Sequence, residues 1–282
     1  MTKRLPSFEE LQKPLPAYSP KNIYYLVMRS LLKTIGNLSE GIRIGNTFGY
    51  DSGVMLDYVY KDKASGKFGI GGLLDRLYLN AVGWKGIRLR KVLVKSYLTR
   101  IVQSQLQRKS RIRYLDIACG GGEYDVEVFE KLDPARIEAE LRDYKQENIK
   151  KAEQNAQSKG LYNTRFKQAD AFDPENYNEK WDVIVSSGFW EIIDDDALVK
   201  GCLLNVANCL DVGSTLVFTI QPYHPQLEMI ARTLTSNTGK LWVMRLRSLD
   251  LYKEWMREAK LQYVTHQMEE HGIFGVVEAV KV

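Results

Sequence analysis

Short apolar runs alternate with helix-periodic segments along the second half of the chain. Apolar runs predict β-strands at 114–118, 181–187 and 214–221, and alternation of apolar and charged residues predicts one at 136–142. A further strand is predicted at 164–168. Apolar residues three and four apart predict helices between them, at 126–132, 148–160, 198–210 and 227–235. A predicted helix at 249–259 precedes two further β-rich runs, 261–269 and 273–282. Strands that alternate with helices predict an α/β domain with a mostly parallel sheet.

The first half of the chain is mainly helix-periodic. Residues 1–20 hold four of the eight prolines, which predicts an irregular lead-in. Helices are predicted at 23–35, 55–60, 70–82 and 87–107. Residues 41–53 are rich in glycine and poorly periodic, which predicts a loop that connects helices or covers a ligand. We therefore expect a helical region at 1–108 and an α/β domain at 109–282. The amphipathic helix at 23–35 is expected to pack on the main domain, with a membrane surface as the alternative.

Three glycines join the first predicted strand to the helix after it. Gly120, Gly121 and Gly122 let the backbone turn sharply and approach a ligand with no Cβ in between. A strand, a glycine turn and a helix N-terminus together predict a nucleotide-type site. Asp125 stands where a dinucleotide fingerprint has its third small residue, which disfavours NAD and FAD. The Gly-Lys-Ser/Thr ending of a P-loop is also missing, which disfavours ATP.

The residues around this turn carry a family resemblance. Asp116 at the strand end, then Ala118, Gly120 and Gly122, resemble the first motif of class I S-adenosylmethionine (SAM)-dependent methyltransferases. The resemblance implies that the loop lies against the amino-acid part of SAM. A glycine-rich turn without a ligand is the alternative, because short motifs also occur by chance.

Acids also end the next two predicted strands. Asp143, followed by Tyr144, lies about 20 residues beyond the glycines, where a carboxylate accepts ribose hydroxyls. Alternatively, Asp143 caps the helix that follows. At the end of the third strand, the resemblance implies that Asp170 receives the adenine amino group and that the N–H of Ala171 faces the ring. Acids at three successive strand ends predict one SAM site at the carboxyl edge of the sheet.

Candidate substrate residues follow the fourth and fifth strands, because an open α/β sheet has its reacting groups at these ends. His224, between Pro222 and Pro225, is the candidate general base, since a neutral imidazole accepts a proton near pH 7. An ordinary surface-loop residue is the alternative. The other candidates are Tyr223 and Glu191 for catalysis, Ser187 and Gly188 for the cofactor, and Trp190, Gln221, Arg245, Tyr50 and Tyr58 for the substrate or a lid.

The roles of the last group follow from their chemistry. Arg245, together with Arg247, is a candidate clamp for an acidic substrate. Tyr50 and Tyr58 are candidates for a lid whose aromatic faces attract a sulfonium cation. Both tyrosines are core aromatics in the alternative interpretation.

Composition limits the class of protein. A hydrophobic content of 44% and a charged content of 27% are ordinary for a globular chain of 282 residues. No apolar run approaches the roughly 18 residues of a membrane span, and the N-terminus has no apolar signal segment. Cys119, Cys202 and Cys209 have no metal or disulfide spacing, which fits a reducing cytoplasm. We expect a cytoplasmic protein without a bound metal.

The net charge of +5 conceals an asymmetry. Residues 1–113 carry 21 Lys and Arg against 7 Asp and Glu, which leaves 19 against 28 for the remainder. A basic first part predicts an anionic partner such as a phosphate, a carboxylate, a lipid headgroup or a nucleic acid. In the alternative, these charges only balance the acidic part. Gly188-Phe-Trp-Glu191 is not the Asn/Asp-Pro-Pro-aromatic motif of enzymes that methylate base amino groups, which disfavours nucleic acid.

Five segments make the resemblance closer than the superfamily. They are 49–53, 55–60, 83–88, 141–144 and 221–228, and they are similar to a bacterial methyltransferase family. Some members of that family are fused to an α/β-hydrolase domain, which hints at a lipid or acyl substrate. The resemblance implies a Rossmann-like sheet of seven strands, mostly parallel with an antiparallel last strand, behind a helical N-terminal extension. Gly121 stands where the family commonly has proline.

We therefore predict a SAM-dependent methyltransferase that acts by in-line transfer on a small or lipid-like, anionic acceptor and releases S-adenosylhomocysteine. Peripheral contact with an anionic membrane stays open. The alternatives are an RNA methyltransferase, a non-catalytic SAM-binding or membrane-peripheral module, and a NAD-dependent oxidoreductase. Asp125 and the predicted β-hairpin ending argue against the last of these.

Overall fold

The computed structural model describes residues 4–282, so the first three residues of the predicted lead-in lie outside it. Its helices are α1 (Phe8–Gln12), α2 (Pro20–Lys33), α3 (Glu40–Phe48), α4 (Gly53–Lys61), α5 (Ile70–Leu79), α6 (Val82–Arg108), α7 (Glu123–Phe129), α8 (Gln146–Ser158), α9 (Asp196–Asn208), α10 (Leu227–Thr233) and α11 (Leu249–Glu258). Its strands are β1 (Ile112–Asp116), β2 (Ile137–Asp143), β3 (Thr164–Gln168), β4 (Trp181–Ser186), β5 (Leu210–Ile220), β6 (Leu261–Met268) and β7 (Gly275–Lys281).

The seven strands form one sheet in the order β3-β2-β1-β4-β5-β7-β6. The pairings from β3 across to β5 are parallel, whereas β7 runs antiparallel to both of its neighbours. The central strands are buried on both faces, as their continuous apolar runs require. The predicted fold class, a Rossmann-like methyltransferase sheet with an antiparallel last strand, is confirmed.

Helices cover both faces of this sheet. One apolar cluster joins it to α6, α7 and α8, through residues such as Leu98, Val126 and Ala152. The second cluster joins the opposite face to α9 and α11, through residues such as Leu203 and Trp255. Because both faces are covered by helices, the ends of the strands are left for binding.

The chain forms two compact units, whose boundaries differ from the predicted division at residue 108. The first unit contains the described residues up to Arg88 together with Tyr223–Leu246, and the second contains Leu89–Pro222 and Arg247–Val282. Within the first unit, Arg29 donates from Nη2 to the Arg232 carbonyl oxygen over 2.8 Å, and Arg232 donates from Nη1 to the Lys13 carbonyl oxygen over 2.6 Å. These contacts join α2 and the lead-in to the segment around α10, so the segment after β5 belongs with the N-terminal helices.

Two stretches predicted as irregular contain helices. The lead-in contains α1, which Ser7 and Glu10 close with a reciprocal capping box. The stretch predicted as a glycine-rich loop at 41–53 contains α3, capped by the Ser39 side chain. Its glycines serve packing: a Cβ on Gly45 would lie 2.4 Å from the Tyr50 ring.

Asp75 is the buried polar centre of the first unit. Its carboxylate accepts hydrogen bonds from the Ser39 hydroxyl at 2.6 Å and from the N–H of Gly41 at 2.7 Å. It also accepts from the N–H of Ser65 at 2.8 Å and from the Tyr58 hydroxyl. One carboxylate thus connects α5 to α3, to α4 and to the loop before α5.

The outer face of α2 is apolar. Tyr25 is buried, but Ile23, Val27 and Leu31 are 51%, 52% and 44% exposed and lie four residues apart on one stripe. Among residues 4–282, no helix has the length and apolar character needed to cross a bilayer.

Replacing Gly45 by Ala is expected to destabilise the protein by about 1–3 kcal/mol, because the added methyl group overlaps the Tyr50 ring. The matched control is Gly72→Ala in α5, where a Cβ would have no neighbour within 4 Å. That change is expected to be neutral or to stabilise by about 0.5–1 kcal/mol, since alanine favours helices. Urea unfolding measures the free energy of unfolding of both variants. Equal stabilities would show that α3 does not need glycine at 45.

Candidate active site

The glycine turn after β1 uses its glycines in different ways. Gly120 and Gly122 both have left-handed backbones, with φ of 56° and 64°. A Cβ on Gly122 would press on Leu141 and Ala152, at 3.0 and 3.2 Å, whereas one on Gly120 would meet nothing within 4 Å. Gly122 therefore allows close packing of the turn on β2 and α8. The space where a Cβ of Gly120 would stand is open to a ligand.

Two buried carboxyl groups lie beneath this turn. Asp116 accepts from the N–H of Ala118 at 3.0 Å and from the Tyr124 hydroxyl. Asp125 accepts from the Tyr114 hydroxyl at 2.5 Å. Burial raises the pKa of both groups, and the charge of Asp116 raises the pKa of Asp125 further. Asp125 therefore retains its proton to a higher pH than Asp116 does.

Asp143 connects the glycine turn to α8. Its Oδ2 accepts from the N–H of Gly120 at 3.0 Å. Its Oδ1 accepts from the N–H of Lys145 at 2.8 Å and from the Asn148 side chain at 3.0 Å. Asp143 does not cap α8, whose N-cap residue is Lys145 and which has no side-chain capping hydrogen bond within the described part of the chain, so the alternative role as an N-cap is not present. A carboxylate has about four acceptor positions, so one position stays available on Oδ2.

The third acid, Asp170, lies on the surface beyond β3. Its Oδ1 accepts from the N–H of Phe172 at 2.8 Å. The carbonyl oxygen of Ala171 accepts from the Tyr177 hydroxyl at 2.8 Å, and Tyr144, after Asp143, is 70% exposed. Because β1, β2 and β3 are parallel neighbours, all three acids lie along one edge of the sheet.

A buried ion pair lies at the end of β4. Glu191 is 6% exposed, and neither of its carboxylate oxygens has a hydrogen-bond partner among residues 4–282. Nη1 of Arg90 is 3.6 Å from Glu191 Oε1, and the Arg90 guanidinium lies 4.9 Å from the centre of the Phe274 ring. Gly188, with φ of 74°, gives this guanidinium room, because a Cβ there would be 2.8 Å from Arg90 Nη2. Beside it, Ser187 is half-buried.

Comparisons with known proteins agree with this arrangement. A family model described as "Putative methyltransferase" matches residues 2–281. The chain belongs to this methyltransferase family. Uncharacterized protein YnbC of Escherichia coli K12 is 37% identical over 273 residues, covering 95% of this chain and 46% of YnbC. The chain thus spans about half the length of this relative. The predicted membership of a methyltransferase family is confirmed.

Solved structures share the fold of this methyltransferase. Magnesium protoporphyrin IX methyltransferase (ChlM) from Synechocystis PCC 6803, solved with bound SAH, is 13% identical with a TM-score of 0.60; the match covers 89% of this chain and 100% of ChlM. A SAM-dependent methyltransferase from Clostridium acetobutylicum is 17% identical with a TM-score of 0.51, covering 76% of this chain and 98% of the other. Both neighbours show that this chain has the fold of SAM-dependent methyltransferases.

Two predicted substrate residues of the methyltransferase have internal roles. Trp190 is 1% exposed and packs on Phe218 at a ring distance of 5.2 Å, so it is a core residue. Arg247 donates to Asp196 Oδ1 and to the carbonyl oxygens of Trp190 and Ile193, at 2.7, 2.8 and 2.7 Å. Its guanidinium fixes the loop that carries Glu191. The prediction that Arg247 clamps an acidic substrate is therefore wrong.

His224 belongs to the first unit and is 3% exposed. Burial lowers its pKa to about 4, so the ring is neutral near pH 7. Nδ1 accepts from the N–H of Gln226 at 3.1 Å, which puts the ring proton on Nε2. A Cβ on Gly83 would be 2.8 Å from that nitrogen. In this tautomer, Nε2 is a donor, which does not favour a general base. The alternative of an exposed loop residue is also wrong.

The remaining candidates divide between the two units. In the first unit, Tyr50 is 1% exposed and its hydroxyl donates to Asn46 Oδ1 at 3.1 Å, so the core alternative holds for it. Tyr223 is 43% exposed. Arg245 pairs with Glu9 at 3.3 Å and lies 4.2 Å from the Phe8 ring. In the second unit, Gln221 is buried at the end of β5.

Sequence reasoning missed three residues at the edge of the sheet. Arg90 lies in a basic helix whose charges gave no reason to single it out. Tyr124 and Tyr114 flank the motif, and their hydroxyls are the partners of Asp116 and Asp125. The sequence signal for the two tyrosines was a pair of acids nine positions apart, Asp116 and Asp125, each with a tyrosine one or two positions before it.

Replacing Asp125 by Asn is expected to change how stability depends on pH. The unfolded chain releases the Asp125 proton near pH 4, whereas the folded chain retains it, so wild-type stability falls as pH rises toward the raised pKa. Asparagine removes this loss while its carbonyl oxygen still accepts from Tyr114. Urea unfolding at about pH 5 and pH 8 should therefore show the stability of the variant rising relative to wild type.

The control for this experiment is Asp250→Asn, since the Asp250 side chain is 90% exposed. Its stability relative to wild type should be the same at both pH values. A constant difference for Asp125→Asn as well would mean that Asp125 is ionised in the folded protein.

Proposed function

We propose that this methyltransferase transfers the methyl group of SAM, by in-line displacement, to a small or lipid-like acceptor that carries a negative charge. Glu191 carries the proposal. Its carboxylate is buried after β4, where open α/β sheets bind their substrates, and has no hydrogen-bond donor among the residues described. Leaving such a group unsatisfied costs about 1–3 kcal/mol, which a donor on the acceptor would recover.

The cofactor residues have acceptor positions left for SAM. The position on Asp143 Oδ2 fits one ribose hydroxyl, and the exposed Asp170 fits the adenine amino group. The space where a Cβ of Gly120 would stand is open, which suits the amino-acid part of SAM. When bound, SAM supplies an electrophilic methyl group. The residues present therefore fit this cofactor.

In this proposal, Arg90 on α6 and Glu191 after β4 bind the acceptor, and Glu191 removes its proton. Arg90 attracts an anionic group, and Glu191 accepts a hydrogen bond, then the proton, from the attacking hydroxyl or amine. Arg247 contributes by fixing the loop that carries Glu191, which keeps the carboxylate in one position.

The test of the function is incubation with methyl-labelled SAM and separated lipid, metabolite and RNA fractions of a cell extract. Label is expected in a lipid or an anionic metabolite. Label in RNA would support the RNA methyltransferase alternative instead. SAM binding without transfer to any fraction would support a non-catalytic module, and binding of NADH in place of SAM would support an oxidoreductase.

Replacing Asp143 by Ala is expected to weaken SAM binding about 5- to 150-fold, because a charge-assisted hydrogen bond and the anchor of the glycine turn are both lost. Isothermal titration measures the effect, and circular dichroism checks the fold. The control is Glu147→Ala, which removes an exposed acid nearby and should leave affinity unchanged. Unchanged affinity in Asp143→Ala would remove the ribose assignment.

Replacing Glu191 by Gln is expected to lower methyl transfer about 100- to 10,000-fold, because the amide cannot accept a proton. SAM affinity should stay within about threefold of wild type, since the cofactor residues are unchanged. The control is Glu254→Gln, an exposed acid on α11, which should keep full activity. Full activity in Glu191→Gln would exclude Glu191 as the proton acceptor.

A further inference from the structure

The loop before α5 presents an aromatic ring to solvent in a strained conformation. Phe68 has a left-handed backbone, with φ of 56°, and its side chain is 87% exposed. Residues with a Cβ avoid this conformation, and burial of the ring does not compensate for it. The loop is nevertheless held in place: Lys67 donates its N–H to the Leu38 carbonyl oxygen at 2.9 Å, and Ser65 donates its N–H to Asp75 at 2.8 Å. A fixed, strained and exposed aromatic ring suggests a binding role.

An exposed apolar stripe continues from Phe68 along α5. Ile70, Leu73 and Leu77 are 64%, 60% and 64% exposed, and their spacing of three and four residues puts them on one side of the helix. The opposite side holds the buried Asp75 and Leu79. A helix of a globular protein normally presents polar residues to water. The exposed side of α5 is apolar instead.

The charges beside this stripe have one sign. Lys63, Lys67 and Arg76 are exposed, and none of them has a carboxylate oxygen within 4 Å among residues 4–282. The two acids within residues 62–77 already have partners in the first unit. Asp62 pairs with Arg88 at 3.2 Å, and Asp75 is buried.

We propose that Phe68, Ile70, Leu73 and Leu77, with Lys63, Lys67 and Arg76, form a docking surface for an anionic phospholipid bilayer. The apolar side chains enter the headgroup region, and the cations contact lipid phosphates. Charge complementarity favours this occupant over a second copy of the chain, because a two-fold contact through this face would bring like charges together. The proposal does not rest on the proposed methyl transfer, because the surface shares no residue with the candidate active site.

Vesicle co-sedimentation of the full chain tests the surface. Binding is expected with vesicles of phosphatidylcholine and 30% phosphatidylglycerol, and much weaker binding with phosphatidylcholine alone. High salt should weaken binding as well, because it screens the lysines. Absence of binding to the anionic vesicles at low salt would overturn the proposal.

The variants assign the contact to individual residues. Phe68→Gly with Leu73→Ser should bind about tenfold more weakly, and glycine at 68 suits the left-handed backbone, so the fold is retained. Lys63→Gln with Lys67→Gln should lose about tenfold or more. The matched control is Tyr162→Ser, which removes an aromatic side chain that is 81% exposed in the second unit, and it should bind as wild type.

Two further outcomes would overturn the assignment. Loss of binding in Leu31→Ser, with binding retained in the Phe68 variant, would move the contact to the exposed stripe of α2. A dimer in sedimentation velocity that the Phe68 variant abolishes would make the face a contact between copies.

Discussion

The sheet edge depends on the way in which its carboxylates are held. Asp143 is satisfied by backbone N–H groups of Gly120 and Lys145 and by the Asn148 amide, and Asp116 by the N–H of Ala118 and the Tyr124 hydroxyl. All of these donors are neutral. A lysine or arginine would cancel the charge, whereas amides and hydroxyls stabilise a carboxylate and leave its negative potential in place. The edge therefore combines a fixed turn with a field that favours a cationic ligand.

The predictions that rested on local pattern agree with the structure. The central strands β4 and β5 were predictable because a buried parallel strand is a continuous apolar run, whereas β2 was predictable from its alternation of apolar and charged residues. The turn at Gly120 and Gly122 was predictable because a left-handed backbone selects glycine at those two positions. Asp143 follows from its place at the end of a strand, although its bonds to the Gly120 and Lys145 N–H groups make it a structural residue as well.

The parts that sequence reasoning missed depend on contacts between distant residues. Gly45 resembled a loop residue, but it is glycine because the Tyr50 ring lies against it. Residues 223–246 follow a strand of the sheet, yet they complete the first unit through contacts such as that of Arg29 with Arg232. Arg247 resembled a ligand for an acid, but its three acceptors lie about fifty residues earlier in the chain. Periodicity carries no information on such pairings.

Burial alone does not identify a catalytic group, and His224 and Glu191 illustrate why. Both side chains are almost fully buried, at 3% and 6% exposure. The imidazole has a backbone donor at Nδ1, so its proton lies on Nε2 and its lowered pKa makes it a weaker base. The carboxylate has a cation at 3.6 Å and no donor among residues 4–282, so its acceptor positions remain for a ligand. Hydrogen-bond partners, rather than residue type or depth, therefore make Glu191 a better candidate for the proton acceptor than His224.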